Sequence, residues 1–318
     1  MRIVSILGLV ICLGFGSLAQ AQFGNSSDSA GGPRLDKPLS QKWKVGVVVR
    51  AVGGPVNQLF GTIPVPTDWP EQQVKVIAEE ITPQVGAVTY RNGEAGLRQM
   101  LFEIPQLAEG DKATALVTFE ITKSSQLAPT DTSGYVIPKS VPKDARKTLG
   151  PSPLIETMNA KIKAFTKETV AGKTVAWAQV EAICDGVREK VELDKLNIKG
   201  AAAALRDGKG DKEDLTALFV ACCRIHKVPA RMVWIPDSCY AEFYLEDSQG
   251  KGYWFPCQVA GDKAFGSQPD QRPILQKGDN VKTPERKEAQ RFVNEFLTGK
   301  GGGGSPEVEF IRKLDEAN

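Results

Sequence analysis

From Trp43 onward the chain alternates apolar and polar residues with a period of two. Val45, Val47 and Val49 share one face of a strand, and so do Ala113, Ala115, Val117, Phe119 and Ile121 in ATALVTFEIT. GTIPVP, VKVIAEEIT and LRQMLFEIP lie between these runs, separated by Asp, Pro, Asn and Gly turns. Successive side chains of a strand point to opposite faces, so alternation marks a half-buried sheet. Several such strands without a long helix predict an antiparallel β-sandwich over 41–125. Residues 126–152 are rich in Pro, Ser, Thr and Asp and read as a linker. Beyond them the period changes to 3.6. Ile155, Met158, Ile162 and Phe165 fall on one helical face, as do Val180, Ile183, Val187 and Val191. A third helix opens at Asp211 as its cap, with Leu215, Leu218, Phe219 and Cys222 as the buried stripe. ARMVWIP, CYAEFYL and GYWFPCQV then read as strands, the last two joined through EDSQGK as a hairpin. Near the end RKEAQRFVNEFL reads as a helix and GKGGGGS as a flexible joint, while EVEFIRKL is open between strand and short helix. The fold class is α+β: a sandwich, then helices packed on an antiparallel sheet from 153 to 318.

The first residues fall outside this pattern. MRIVSILGLVICLGFGSLAQA has Arg2, an apolar run and Ala19-Gln20-Ala21, which is the form of a secretory signal peptide over 1–21. The run is too short to span a bilayer with polar flanks to spare. Cys12 follows Ile11 rather than a small residue, so a lipid-anchored cysteine is not indicated. The expectation is a secreted or periplasmic protein with no membrane attachment after cleavage. Residues 22–40, small, polar and rich in Gly and Pro, read as a disordered leader.

Totals narrow the function classes. A chain of 318 residues suffices for two domains, and 41% hydrophobic with 25% charged residues is a soluble globular composition. The net charge is +2 and no basic run interleaves with aromatics, which gives no ground for a nucleic-acid partner. His226 is the only histidine, which argues against a histidine-built zinc site. The Gly-Asp turn in RPILQKGDN offers one carboxylate, too few for calcium. No metal and no cofactor are assigned. Five cysteines follow the leader, Cys184, Cys222, Cys223, Cys239 and Cys257, none in Cys-x-x-Cys spacing. His226 reads as a helix-terminal residue favoured by the dipole, and Cys222 and Cys223 as small core hydrophobes.

The stretch GDKEDLTALFVACCRIHKVPARMVW, with SCYAEFYL and YWFPCQ after it, resembles the transglutaminase-like superfamily. Its pattern runs Gly-Asp-Cys, an apolar helix, Arg-x-x-Gly-Ile-Pro-Ala-Arg, His-x-Trp-x-Glu-Val-Tyr and Trp-x-Pro-x-Asp. Gly210, Asp211, Leu218, Phe219, Arg224, Pro229, Ala230, Arg231, Glu242, Tyr244, Trp254 and Pro256 match it. The resemblance covers roughly 150–260, and 43–125 loosely. It implies a papain-like core and a Cys-His-Asp triad, the cysteine activated at a helix N-terminus. Lys212 stands at the cysteine position, Ser238 at the histidine position and Gln258 at the aspartate position, with Tyr240 in place of the tryptophan. Lys212 reads as an exposed first-turn residue whose ammonium is held by Glu213 or Asp211. Arg231 and Glu242 are expected to pair and hold the strands together; with Asp211, Tyr240 and Trp254 they form the expected groove and scaffold.

The resemblance also sets a register. If Ser238 and Gln258 meet across adjacent strands, Cys239 and Cys257 lie directly opposite each other on the face away from the old active site, where a disulfide is expected. Without thiolate, imidazole or carboxylate, a pseudoenzyme follows: a binding or structural module for an extended peptide, a protein or a cell-envelope component. The alternative is a divergent acyl-transfer or hydrolytic enzyme of the protein-glutamine transferase or peptidase class, with Lys212 and Ser238 acting as a dyad.

Overall fold

The structure, a computed structural model, describes residues 31–195, 197–300 and 302–315. The expected signal peptide lies outside the described residues. The N-terminal half is built from β1 (Arg34–Val52), β2 (Val56–Val65), β3 (Gln72–Ile81), β4 (Ala87–Asn92), β5 (Arg98–Leu107) and β6 (Lys112–Leu127). They form two antiparallel sheets, β1-β6-β3 and β2-β5-β4, each completed by one strand from the far end of the chain. The alternating residues noted above supply the filling between the sheets: Val45, Val47 and Val49 from β1, Ala115, Val117 and Phe119 from β6, and Phe102 and Ile104 from β5 are all buried there. Gly46 lets β1 and β6 approach closely. Its φ is +157°, and a Cβ would stand 2.0 Å from the Ala115 carbonyl oxygen.

β1 begins inside the segment expected to be a disordered leader. Its exposed first residues are paired with β6 out to Arg34 opposite Leu127, so the backbone hydrogen bonds of a neighbour order a polar sequence that buries little. The expected linker is also packed. It contains α1 (Lys143–Arg146), Val136 bridges to Glu246, and Tyr135 is buried between Trp177 and Phe255.

Next come α2 (Ala160–Thr169), α3 (Ala176–Lys190), β7 (Glu192–Leu193), α4 (Ala201–Asp207), β8 (Lys209–Gly210) and α5 (Lys212–Ile225). Asn159, not a residue near 153, starts α2 by accepting hydrogen bonds from the amides of Lys161 and Ile162. Ile155 and Met158 therefore precede the helix, and Met158 is exposed. α5 is the axis of this half. Every residue from Asp214 to Arg224 is buried, because the helix is covered by α2, α3 and α4 on one side and by a sheet on the other. That sheet comprises β9 (Ala230–Ile235), β10 (Ser238–Glu246), β11 (Gly252–Gln258), β12 (Ala264–Phe265) and β13 (Gln276–Lys277), in the order β12-β11-β10-β9-β13. Trp177, Phe243, Phe255 and Phe265 pack ring against ring between helices and sheet. Each buried phenylalanine contributes about 1.5–3 kcal/mol.

The tail departs from its expected course. After the hairpin of β14 (Val281–Thr283) and β15 (Arg286–Gln290), β16 (Phe296–Thr298) pairs with β2, and β17 (Ser305–Leu314) pairs with β1 from Trp43 to Val52. RKEAQRFVNEFL is thus two strand segments rather than a helix. Its apolar residues are drawn to separate edges, Phe292 onto Trp234 and Phe296 opposite Thr62. Nor is the glycine run a free joint: a Cβ on Gly302 or Gly304 would lie about 2 Å from the backbone oxygens of Pro55 and Gly54. The chain leaves the sandwich, builds the helix-and-sheet half and returns to close both sandwich sheets. Among the described residues no helix is long and apolar enough to cross a membrane.

Candidate functional site

The residues that carry the family resemblance converge on the two ends of α5 and on the β9–β11 strands. At the start of the helix, Asp211 accepts hydrogen bonds from the amides of Glu213 (2.6 Å) and Asp214 (3.3 Å). Asp214 returns one from the Asp211 amide at 3.1 Å, closing a capping box. Asp214 also accepts from the amides of Lys199 and Gly200, which ties the α4 approach to the same helix end. Gly210 has no room for a side chain, since a Cβ would lie 2.9 Å from that of Asp214.

Lys212 is the first helical residue and is exposed. The carboxylates expected to hold its ammonium are engaged elsewhere. Asp211 caps the helix, and Glu213 accepts from Arg291 Nε at 2.8 Å. Burial, with the nearby carboxylates of Asp211 and Asp214, raises the Glu213 carboxyl to about 7 against the lowering influence of Arg291. Arg291 comes from the segment after β15, and its neighbour Phe292 stacks on Trp234 of β9 at 5.1 Å. Gln276 fixes this crossing, donating to the Arg291 carbonyl and accepting from the Val293 amide. The protein's own chain therefore lies beside the first turn of α5.

The β10–β11 register differs by two residues from the expected one. Ala241 pairs with Cys257, Glu242 with Pro256 and Tyr244 with Trp254. The cause is the turn. Asp247 accepts from the amides of Gln249 and Lys251 and Gly250 adopts φ +79°, so the hairpin is centred one residue later than Ser248. Cys239 and Cys257 are consequently not opposite each other. Cys239 pairs with Trp234 and Cys257 with Ala241 and Phe265, and both are free thiols. A shift of two preserves the alternation of faces. Both cysteines, with Ala241, Phe243 and Phe255, face the helices rather than away from them. The Cys239 thiol lies beside Thr216, one turn into α5.

Ser238 and Gln258 sit at strand ends. Ser238 pairs with Ile235 across the two-residue turn Pro236-Asp237, and Gln258 donates to the Ala260 carbonyl at 2.8 Å. By alternation both share the face of Tyr240 and Glu242, which is turned from α5. Cys239, rather than Ser238, thus meets the start of the helix.

Arg231, Glu242 and Trp254 do come together. The Arg231 guanidinium bonds Glu242 at 2.6 Å and lies 4.0 Å over the Trp254 ring. Glu242 is fully buried and also accepts from Lys277 at 2.6 Å. Burial works to raise its carboxyl, but the charges and hydrogen bonds of Lys277 and Arg231 hold it below the ordinary value. Lys277 simultaneously bonds Glu71 of the sandwich at 2.5 Å, so a buried Glu-Lys-Glu-Arg chain joins the two halves. Tyr240 is buried beside it with its hydroxyl unpartnered among the described residues.

Sequence reasoning missed Glu71, Lys277, Asp279 and Arg291. Asp279, weighed as a cation ligand, instead takes both oxygens to Arg224 at 2.8 Å. A Lys and an Asp flanking a glycine just beyond the apolar run Pro273-Ile274-Leu275 was the available signal. His226 follows α5 as its C-cap, with Nε2 3.0 Å from Gln179 Oε1.

Four of the buried thiols are held in their protonated form. Burial pushes Cys222 up to about 12 and raises Cys223, Cys239 and Cys257. Among the described residues no group of His, Cys, Asp and Glu is arranged to hold a metal ion. Away from this region a cleft of about 890 Å3 opens between α2, α3 and α4 and carries charges of both signs, among them Lys161, Glu168, Glu189 and Arg206.

Comparison with known proteins fits this geometry. No curated protein matches the chain in sequence. Among solved structures it is similar to a "putative cysteine protease" from Cytophaga hutchinsonii, at 13% identity and a TM-score of 0.60 over 90% of this chain and 94% of that one. It also aligns with a "putative protease" from Parabacteroides distasonis, at 13% identity and a TM-score of 0.30 over 70% of this chain and 47% of that one. The family model that matches residues 163–259, from α2 through β11, is that of the transglutaminase-like superfamily, and this part of the chain has a transglutaminase-like, papain-like fold.

Proposed function

We propose that this protein is an exported, non-catalytic member of its fold that binds an extended peptide or a cell-envelope component. One observation carries the reading. α5 opens with Lys212 where the family's chemistry needs a cysteine, and the thiol that does reach the first turns of that helix, Cys239, is buried and held protonated. An ammonium cannot form the thioester that acyl transfer to or from a glutamine side chain requires. Ser238 and Gln258 lie at strand ends on the face turned from α5, so neither shares the face that meets the helix opened by Lys212. Arg291 and Phe292 cover the region where a substrate would approach. The cleft between α2, α3 and α4 is the roomier surface, and its mixed charges suit a polar, extended polymer better than an apolar ligand.

The experiment pairs activity with binding. The purified protein shows no amine incorporation into glutamine peptides and no peptide hydrolysis, while fluorescently labelled peptides or isolated peptidoglycan bind it. Glu168→Lys with Glu189→Lys weakens that binding several-fold. Turnover abolished by Lys212→Ala would overturn the reading in favour of a lysine-dependent enzyme. Export rests on the leader at 1–21, and recovery of uncleaved protein inside the cell would remove that part of it.

A further inference from the structure

Cys184 of α3 and Cys257 of β11 bring their Sγ atoms within 3.5 Å of each other. Both side chains are fully buried in the core between the helices and the sheet. A disulfide bond is about 2.05 Å long, so the two sulfurs stand about 1.5 Å from bonding distance. Cys223 of α5 completes a small nest, close enough for its charge and that of Cys184 or Cys257 to oppose one another. The other thiols have different neighbours: Cys239 lies beside Thr216 of α5, and Cys222 beside Thr166 of α2.

We propose that Cys184 and Cys257 are the sites of an intrachain disulfide that staples α3 to β11. The oxidant is a small disulfide such as glutathione disulfide. A thiolate of one cysteine attacks it and releases one small thiol, and the second cysteine displaces the other. Two protein thiols and one small disulfide become one protein disulfide and two small thiols. The protein sulfurs lose two electrons, and their protons pass to the released thiolates. The loop so closed contains α4, α5, β9 and β10, the elements that carry Lys212 and Ser238. The bond also anchors β11 one residue before Gln258. Because burial holds Cys257 and Cys223 protonated in the finished fold, exchange there is slow. The bond therefore forms while the core is still open, and is afterwards shielded from reductants by the same burial.

The test folds the full chain from denaturant with glutathione disulfide present, then alkylates it in denaturant without reduction and maps the peptides. Three of Cys184, Cys222, Cys223, Cys239 and Cys257 alkylate, and a linked fragment joins 184 to 257. Cys223→Ser retains that fragment. The oxidised protein melts higher than the reduced one, by on the order of 10 °C, because a long closed loop restricts the unfolded chain. Reductant opens the bond quickly only after denaturant is added. Alkylation of all five of these cysteines after oxidative folding, or a link running through Cys223 or Cys239, would overturn the assignment. A 184–257 link without a rise in melting temperature would overturn the staple. Because the mapping uses the unaltered chain, it does not depend on any cysteine variant folding.

Discussion

Replacing Asp279 by alanine should cost this protein more stability than replacing the exposed Lys212 by alanine. Arg224 and Asp279 are each only 2% exposed and meet through both carboxylate oxygens at 2.8 Å. The Asp279 carboxylate also accepts from Ser152 Oγ at 2.6 Å and from the Met232 amide at 3.0 Å. The rest of the guanidinium is committed to the carbonyls of Gly150 and Ala230 and to Ser152. Alanine would leave a buried cation without its counter-charge and a buried amide without its acceptor. Removing one partner of a buried pair costs about 3–5 kcal/mol, and an orphaned amide about 1–3 kcal/mol. The two overlap, so about 4 kcal/mol is expected, a large part of the roughly 5–15 kcal/mol that holds a domain folded. Asp279→Asn keeps the shape and should lose about half as much. The double change Arg224→Met with Asp279→Leu should recover most of the loss, since an apolar replacement of both partners leaves no unpaired charge. Urea unfolding followed by tryptophan fluorescence measures all four proteins, provided the m-value is unchanged. A loss below about 1 kcal/mol for Asp279→Ala, or a double variant no more stable than Asp279→Ala, would refute the reasoning.

Three further outcomes are expected. Asp211→Ala removes one half of the capping box and should destabilise by about 1–2 kcal/mol, read by thermal melting, whereas Lys212→Ala, at an exposed position, should stay within about 0.5 kcal/mol. The Glu213 carboxyl is raised from its ordinary 4.5 to about 7, so its contribution to stability is fully present below 4.5 and is lost as pH rises through 7; urea midpoints should fall across that window, and Glu213→Gln should flatten the fall. A chain ending at residue 300 lacks β17, exposes the β1 edge from Trp43 to Val52 and should be insoluble or lose cooperative unfolding by circular dichroism; a soluble, cooperatively folding truncation would mean that β17 is dispensable.

Much of the architecture is legible in local pattern, because burial on one face imposes a period that neighbouring residues carry themselves. The period-two runs are β1, β5 and β6, the 3.6-residue stripe from Leu215 to Cys222 is the face of α5, and Asp211 caps it through backbone amides only two and three residues away. Arg231 and Glu242 meet as expected because they lie opposite each other on adjacent strands. What the sequence does not carry is which distant partner each segment finds. Residues 34–40 look disordered and are a strand because β6 hydrogen-bonds them; RKEAQRFVNEFL has helical spacing and is pulled apart between β14, Trp234 and β2. The β10–β11 register turned on one residue of turn geometry, enough to part Cys239 from Cys257 and leave Cys257 against Cys184 of a helix 73 residues earlier. Lys277, Asp279 and Arg291 were unremarkable in one dimension because their partners Glu71, Glu242, Arg224 and Glu213 lie far away along the chain. Local periodicity records how a segment is buried; which charges and thiols meet is decided only when the chain folds back to close both sandwich sheets.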